Sequence, residues 1–190
     1  MDLPRRVIRR LLRSLLGRLA IAMVHSLAEI ESRILRPGQT PWLRLLFFKL
    51  VGVEFSRPLF IGSSFILYRG GSLKIGQRAC IGERCGIFTH AAVEIGNDFL
   101  AAPGLTINSG DHNPSTLIPE GDPVVIGDRV WCGVNVTILA GVTIGDDCVI
   151  GAGALVRQSM PANTIAVGVP ARPVKRNIRN IEKVWTCYPR

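Results

Sequence analysis

The sequence predicts a mainly β chain in which short straight segments wind into a three-sided coil, preceded by helices and followed by a short basic tail. Three observations carry this expectation. An apolar residue recurs at every sixth position from Ile126 through Cys132, Ile138, Ile144 and Ile150 to Val156. A second apolar set stands four residues after each of these: Val130, Val136, Val142, Cys148, Ala154 and Met160. Glycine follows the first position directly in IGDRVW, CGVNVT, IGDDCV and IGAGAL. Neither the helical period of about 3.6 nor plain strand alternation produces such a beat. A chain that bends at each repeat does, and three sides make a turn of about eighteen residues, stacked at about 4.8 Å. One side is too short to bury its apolar residues alone, so each turn depends on its neighbours.

Taken in chain order, residues 3–35 read as a helix. Ile8, Leu11, Leu12, Leu15, Leu19, Met23, Leu27, Ile30 and Ile34 fall roughly on one face, with Arg6, Arg10 and Arg13 off it. Arg36-Pro37-Gly38 ends that element. Thr40-Pro41 starts another, with Thr as N-cap and Pro in the first turn, and it carries the apolar WLRLLFFKLVG. The six-residue beat then begins with Ile75, Ile81 and Ile87, and resumes with Ile95, Ala101 and Ile107. The step of eight from Ile87 to Ile95 implies a two-residue insertion at a corner. Between Ile107 and Ile126 the beat stops for NSGDHNPSTLIPEGDPVV, whose turn-forming residues predict a projecting loop. Such interruptions of a rigid scaffold are where chemistry is usually mounted. After Val167, GVPARPVKR leads into the tail. The expected division is 1–55 for the helices, 56–168 for the coil with its loop at 108–125, and 169–190 for the tail.

Of the 190 residues, 47% are hydrophobic and 19% charged, which suits a packed core and excludes a disordered chain. The net charge of +9 is uneven: residues 1–50 carry +7, residues 172–190 carry +5, and the body between them carries −3. That argues against a nucleic-acid groove along the body and points to anionic partners at the termini. The longest charge-free run of the first helix, Leu19 to Ala28, is too short to span a bilayer. Arginines beside an apolar face suit a helix lying on an anionic membrane surface, and a cap on the open end of the coil is the competing reading. The second helix, with Phe47 and Phe48, suits the cap role. No leader with a small-residue cleavage site is evident. The odd set Cys80, Cys85, Cys132, Cys148 and Cys187 shows no paired metal spacing, so a reduced, cytoplasmic protein without a metal site is expected. Cys85, Cys132 and Cys148 occupy repeat slots and read as small core residues. The repeat glycines are corner residues; no GxxxxGK[ST] phosphate loop exists.

IGNDFLAAPGLTINSGDH, VIGDRVWCGVNVTILAGVTIGDDCVIGAGALV and MPANTIAVGVPAR together resemble the hexapeptide-repeat O-acetyltransferases, the group of galactoside, maltose and polysaccharide-cluster acetyltransferases. The resemblance implies a left-handed parallel β-helix, an exception to the usual crossover hand. It implies a homotrimer with active sites between subunits, acetyl-CoA as co-substrate, and a sugar or glycan hydroxyl as acceptor. His112 stands where these enzymes place their catalytic base, and imidazole suits that task near neutral pH. Trp131 matches an aromatic residue beside the substrate, or alternatively lies in the trimer interface. Asp111 is expected to orient His112 or to form an Asx turn. His90 falls near acceptor-binding positions, although GIFTHAAV departs from the family there, and a solvated or core histidine is the alternative. For CoA, the resemblance suggests Val134 and Ala152 along the inter-subunit groove, with Arg157, Arg172 and Lys175 as partners of its phosphates. Amino-sugar or antibiotic N-acetylation and a non-catalytic trimeric scaffold are the alternative functions. A β-helical zinc carbonic anhydrase would need three clustered histidines, and His25 lies outside the repeats.

Overall fold

The computed structural model describes residues 42–176 together with positions 19, 22, 23, 26, 27 and 30. The expected coil forms from chain order alone. Its first turn is β1 (Glu54–Phe55), β2 (Leu59–Ile61) and β3 (Ile66–Arg69). The second is β4 (Leu73–Ile75), β5 (Ala79–Ile81) and β6 (Gly86–Thr89), and the third is β7 (Val93–Ile95), β8 (Leu100–Ala101) and β9 (Thr106–Asn108). A hairpin of β10 (Gly110–His112) and β11 (Pro119–Gly121) then interrupts the winding. The fourth turn is β12 (Val124–Ile126), β13 (Trp131–Cys132) and β14 (Thr137–Ile138), and the fifth is β15 (Thr143–Ile144), β16 (Val149–Ile150) and β17 (Leu155–Val156). Met160 bridges back to Ile144, and β18 (Thr164–Val167) lies on β16 before β19 (Arg172–Arg176) returns antiparallel beside it. Every third strand pairs in parallel, giving three faces: face A runs β1-β4-β7-β12-β15, face B runs β2-β5-β8-β13-β16-β18-β19, and face C runs β3-β6-β9-β14-β17.

The repeat positions are the interior. Ile126, Cys132, Ile138, Ile144, Ile150 and Val156 are all buried, and so is the second set from Val130 to Met160. The step of eight recurs: it separates Leu67 from Ile75 as well as Ile87 from Ile95, both at the corner from face C to face A, whereas Ile138 to Ile144 crosses that corner in six. The hairpin rises from that same corner one turn later.

The other corners turn through left-handed backbone. Between faces A and B, Arg78, Asp98, Arg129, Asp147 and Asn163 all have φ between 54° and 58°. Non-glycine residues resist this conformation, so the stack must offset the cost. Each N–H there donates to a carbonyl of the preceding turn, as from Arg129 to Asn97 at 2.8 Å and from Asp147 to Asp128 at 2.9 Å. Guanidinium–carboxylate pairs add to this: Arg78 grips Asp98 at 2.6 and 2.8 Å, and Arg129 grips Asp147 with two bonds of 2.8 Å. Those bonds raise both guanidinium pKa values above the ordinary arginine range. Glycine at the repeat corner is a matter of space: a Cβ on Gly76 would stand 2.6 Å from the carbonyl carbon of Gly96.

Helix α1 (Trp42–Leu50) closes the first turn. Leu45, Phe47 and Phe48 are buried with Val51 and Val53, and the Phe48 ring lies 5.4 Å from Phe65 and edge-on to Phe55 at 6.3 Å. Buried Arg44 donates to the carbonyl of Gly62, fastening the helix to the coil. α1 therefore takes the cap role expected of it. The first predicted helix falls mostly outside the described residues, but Leu19, Met23, Leu27 and Ile30 are helical and exposed. The tail beyond Arg176 lies outside the described residues.

Cys85, Cys132 and Cys148 are buried, as their slots predict, and form no disulfide; burial raises the Cys85 and Cys132 thiol pKa values. The expectation of a fully reduced set is corrected at Cys80, which is disulfide-bonded. Cys80 sits in the outward register of face B between Phe60 and Leu100, so its sulfur faces away from the interior.

Candidate active site

The hairpin at 110–121 is the one break in the coil long enough to carry side chains away from it among the described residues, and it is more ordered than the loop its composition predicts. Gly110 pairs with Gly121, Asp111 with Glu120, and His112 with Pro119. The tip is closed by Asn113, whose side-chain oxygen accepts the N–H groups of Ser115 at 3.0 Å and Thr116 at 3.2 Å. Its amide donates to Glu120 at 3.2 Å, linking the two strands.

Strand alternation sorts the side chains. His112 shares a face with the Cα–H positions of Gly110, whereas Asp111 and Glu120 share the other. The Asp111 carboxylate accepts the backbone N–H of His112 at 2.7 Å. Asp111 therefore braces the main chain, and it does not hold the imidazole. The His112 ring is exposed and has no hydrogen-bond partner among the described residues, so either ring nitrogen is open to an incoming group.

Beneath the hairpin lies the corner after β6. Ser109, fully buried, accepts the Ala91 N–H at 2.9 Å, and its hydroxyl lies 3.2 Å from the Phe88 carbonyl and 2.9 Å from that of Ala91. Thr89 repeats the device one turn earlier, donating to the Tyr68 carbonyl at 3.1 Å. His90 stacks on Tyr68 with centroids 4.9 Å apart and planes 29° apart. Tyr68 was not among the residues the sequence brought forward. Its signal was there in the step of eight after Leu67, which marks the same corner one turn before His90.

The remaining expected residues group elsewhere. Trp131 is exposed on face B, the side of the prism opposite the corner that bears the hairpin, so one chain does not bring it to His112. Its outward column continues through Leu100, Val149 and Ile165, an apolar stripe along face B. Val134 and Ala152 occupy successive turns of the corner between faces B and C, both exposed, with the Gly153 N–H donating to the Val134 carbonyl at 2.8 Å. The chain reaches that corner once more at Gly168-Val169-Pro170 and delivers Arg172, whose guanidinium donates to the Gln158 side chain at 2.7 Å. Arg157, next to Gln158, is exposed, and so is Lys175 on β19 opposite Ile165. An open groove of about 550 Å³ lies instead along face A, lined by Lys74, Glu94, Asn97, Asp128 and Asp146, and includes none of the expected site residues. No set of three metal-ligating side chains occurs among the described residues.

Residues 123–158 match the family described as bacterial transferase hexapeptide (six repeats). The chain is 37% identical over 111 residues to the galactoside O-acetyltransferase of Escherichia coli strain K12, covering 56% of this chain and 55% of that protein. It is 28% identical over 137 residues to WcaF of the same strain, provisionally named a colanic acid biosynthesis acetyltransferase, covering 71% of this chain and 75% of that protein. A solved galactoside acetyltransferase in complex with coenzyme A shares the fold with a TM-score of 0.57 at 24% identity, covering 99% of this chain and 91% of that one. The fold is thus a left-handed parallel β-helix of hexapeptide repeats. By sequence, the chain is similar over part of its length to proteins named acetyltransferases, with the hexapeptide repeats at its centre. It spans about half the length of several of the curated relatives it matches.

Proposed function

We propose that the chain is an acetyl-CoA-dependent O-acetyltransferase that acts on a hydroxyl of a sugar or glycan intermediate, with His112 as general base. The observation that carries this reading is the His112 ring, exposed on the hairpin and without a hydrogen-bond partner among the described residues. His112 accepts the acceptor's hydroxyl proton as that oxygen attacks the thioester carbonyl. The tetrahedral oxyanion that forms is stabilised by N–H donors. Its collapse breaks the C–S bond, and the departing CoA thiolate takes the proton back from the imidazolium. No covalent enzyme intermediate arises. The acceptor class rests on the galactoside and colanic acid relatives, and acetyl-CoA on their acetyltransferase names and on the coenzyme A bound in the solved relative.

The CoA chain would run along the edge formed by Val134 and Ala152, with Arg172, Lys175 and Arg157 beyond it as phosphate partners. Trp131 and His112 lie on opposite sides of one coil, so a site using both draws them from two copies, which supports a homotrimer. The apolar stripe of face B offers the contact surface. Acetyl transfer from acetyl-CoA to a panel of sugars, with amine acceptors alongside, tests the reading. Transfer to amines alone would replace it with N-acetylation, and failure to bind CoA would leave a scaffold.

A second reading concerns the N-terminus. The exposed Leu19, Met23, Leu27 and Ile30, within a segment of charge +7, favour peripheral attachment to anionic lipid at the cytoplasmic face of a membrane. Among the described residues no helix is long and apolar enough to cross a bilayer. Flotation with anionic vesicles tests attachment; protein remaining at the bottom of the gradient removes it.

A further inference from the structure

The corner His90–Ala91 touches both strands of the hairpin at its root. A Cβ built on Gly110 would stand 2.3 Å from Cδ2, 2.4 Å from Cγ and 2.9 Å from Cβ of His90. Rotation of the imidazole cannot clear the last of these, because that atom is fixed to the backbone. Across the ladder, a Cβ on Gly121 would meet the Ser109 carbonyl at 3.1 Å and Ala91 at 3.3 Å. The paired glycines Gly110 and Gly121 therefore rest directly on His90 and Ala91. Neither glycine has a positive φ, so lack of space and not backbone conformation demands them. Tyr68 supports the His90 ring from the preceding turn. Buried Ser109 fixes the height of the corner through bonds to Phe88 and Ala91 on either side of His90.

We propose that Tyr68 and His90 form a stacked seat on which the hairpin root sits, making His90 a positioning residue that sets where His112 stands above the coil. His112 lies two residues beyond Gly110 on the same face, so a displaced root moves the imidazole with it. The seat acts by packing, through the stacked faces of the two rings. This inference relies on His112 as the base only for its kinetic consequence, and the packing claim stands apart from it.

The test uses Gly110→Ala, His90→Ala, His90→Phe and the double variant Gly110→Ala/His90→Ala. Amide exchange over residues 110–121, acetyl transfer to the best acceptor of the sugar panel, and CoA affinity by calorimetry are measured on each. Gly110→Ala is expected to speed exchange and lower kcat by about tenfold or more, with CoA affinity changed by less than about twofold. Removing the ring in the double variant should recover part of both losses, so the two substitutions are not additive. His90→Phe should stay near native and His90→Ala should not. Native exchange in Gly110→Ala, a double variant no better than Gly110→Ala, or His90→Phe as impaired as His90→Ala would each overturn the seat. Should His112→Ala keep full activity, the base assignment falls, while the exchange data still decide the seat.

Discussion

Replacing Ile138 by alanine, beside Thr137 by alanine on the same strand, separates the interior of the coil from its surface with two adjacent residues. Ile138 is fully buried and stacked between Ile107 of the turn before and Val156 of the turn after. Those neighbours cannot move in to fill the space, because the turns are held at ladder spacing by bonds such as Thr106 N–H to Val136 at 2.8 Å and Thr137 N–H to Ala154 at 2.9 Å. An aliphatic-to-alanine change costs about 2–5 kcal/mol depending on how far a site collapses. A site that cannot collapse belongs in the upper half, at about 4 kcal/mol. For a chain of this size each kcal/mol lowers Tm by about 2–4 °C, so a fall of roughly 12 °C is expected. Thr137 points outward and is half-buried, so its alanine variant should stay within about 0.5 kcal/mol. Urea titrations followed by circular dichroism, with thermal melts, measure both. A loss below about 1 kcal/mol at Ile138, or equal losses at the two positions, would refute the assignment of inward and outward sides.

His112→Ala should lower kcat by about 10²–10⁴-fold with CoA affinity retained, measured by steady-state kinetics and calorimetry. Asp111→Ala should cost less than about tenfold in kcat, because its carboxylate holds the His112 backbone and not the ring; a loss matching His112→Ala would return Asp111 to the orienting role. Arg172→Ala should raise KM for acetyl-CoA by about tenfold at nearly constant kcat, the mark of a group that binds the co-substrate equally in ground and transition states. Cys85, Cys132 and Cys148 should resist a thiol reagent in the folded protein and react once urea unfolds it, since all three are buried and burial disfavours the thiolates of Cys85 and Cys132.

The repeat was legible because the physics behind it is local. An apolar residue every sixth position can be satisfied only by a chain that bends at that interval, and Ile126 to Val156 state this without reference to anything distant. The capping helix was legible for a similar reason: Phe47 and Phe48 lie in a segment with more apolar surface than one helix face can use. The disulfide at Cys80 was not legible, because an odd set of five cysteines without paired spacing names no partner for it. The site divides along the same line. His112 announced itself by standing in the break of the beat, but its surroundings depend on which corners stack. Asp111 is its neighbour in sequence and faces away, while His90 and Tyr68 are distant in sequence and lie beneath its strand.

Period and composition along a single segment are enough to specify the coil, its inward residues and the point where chemistry is mounted. That the loop is a hairpin, that two glycines rest on the His90–Ala91 corner, and that Trp131 stands on the far side of the coil from His112 emerge from the folded chain alone. The reason is geometric: those relations run between turns about twenty residues apart, and they exist only after the turns have stacked.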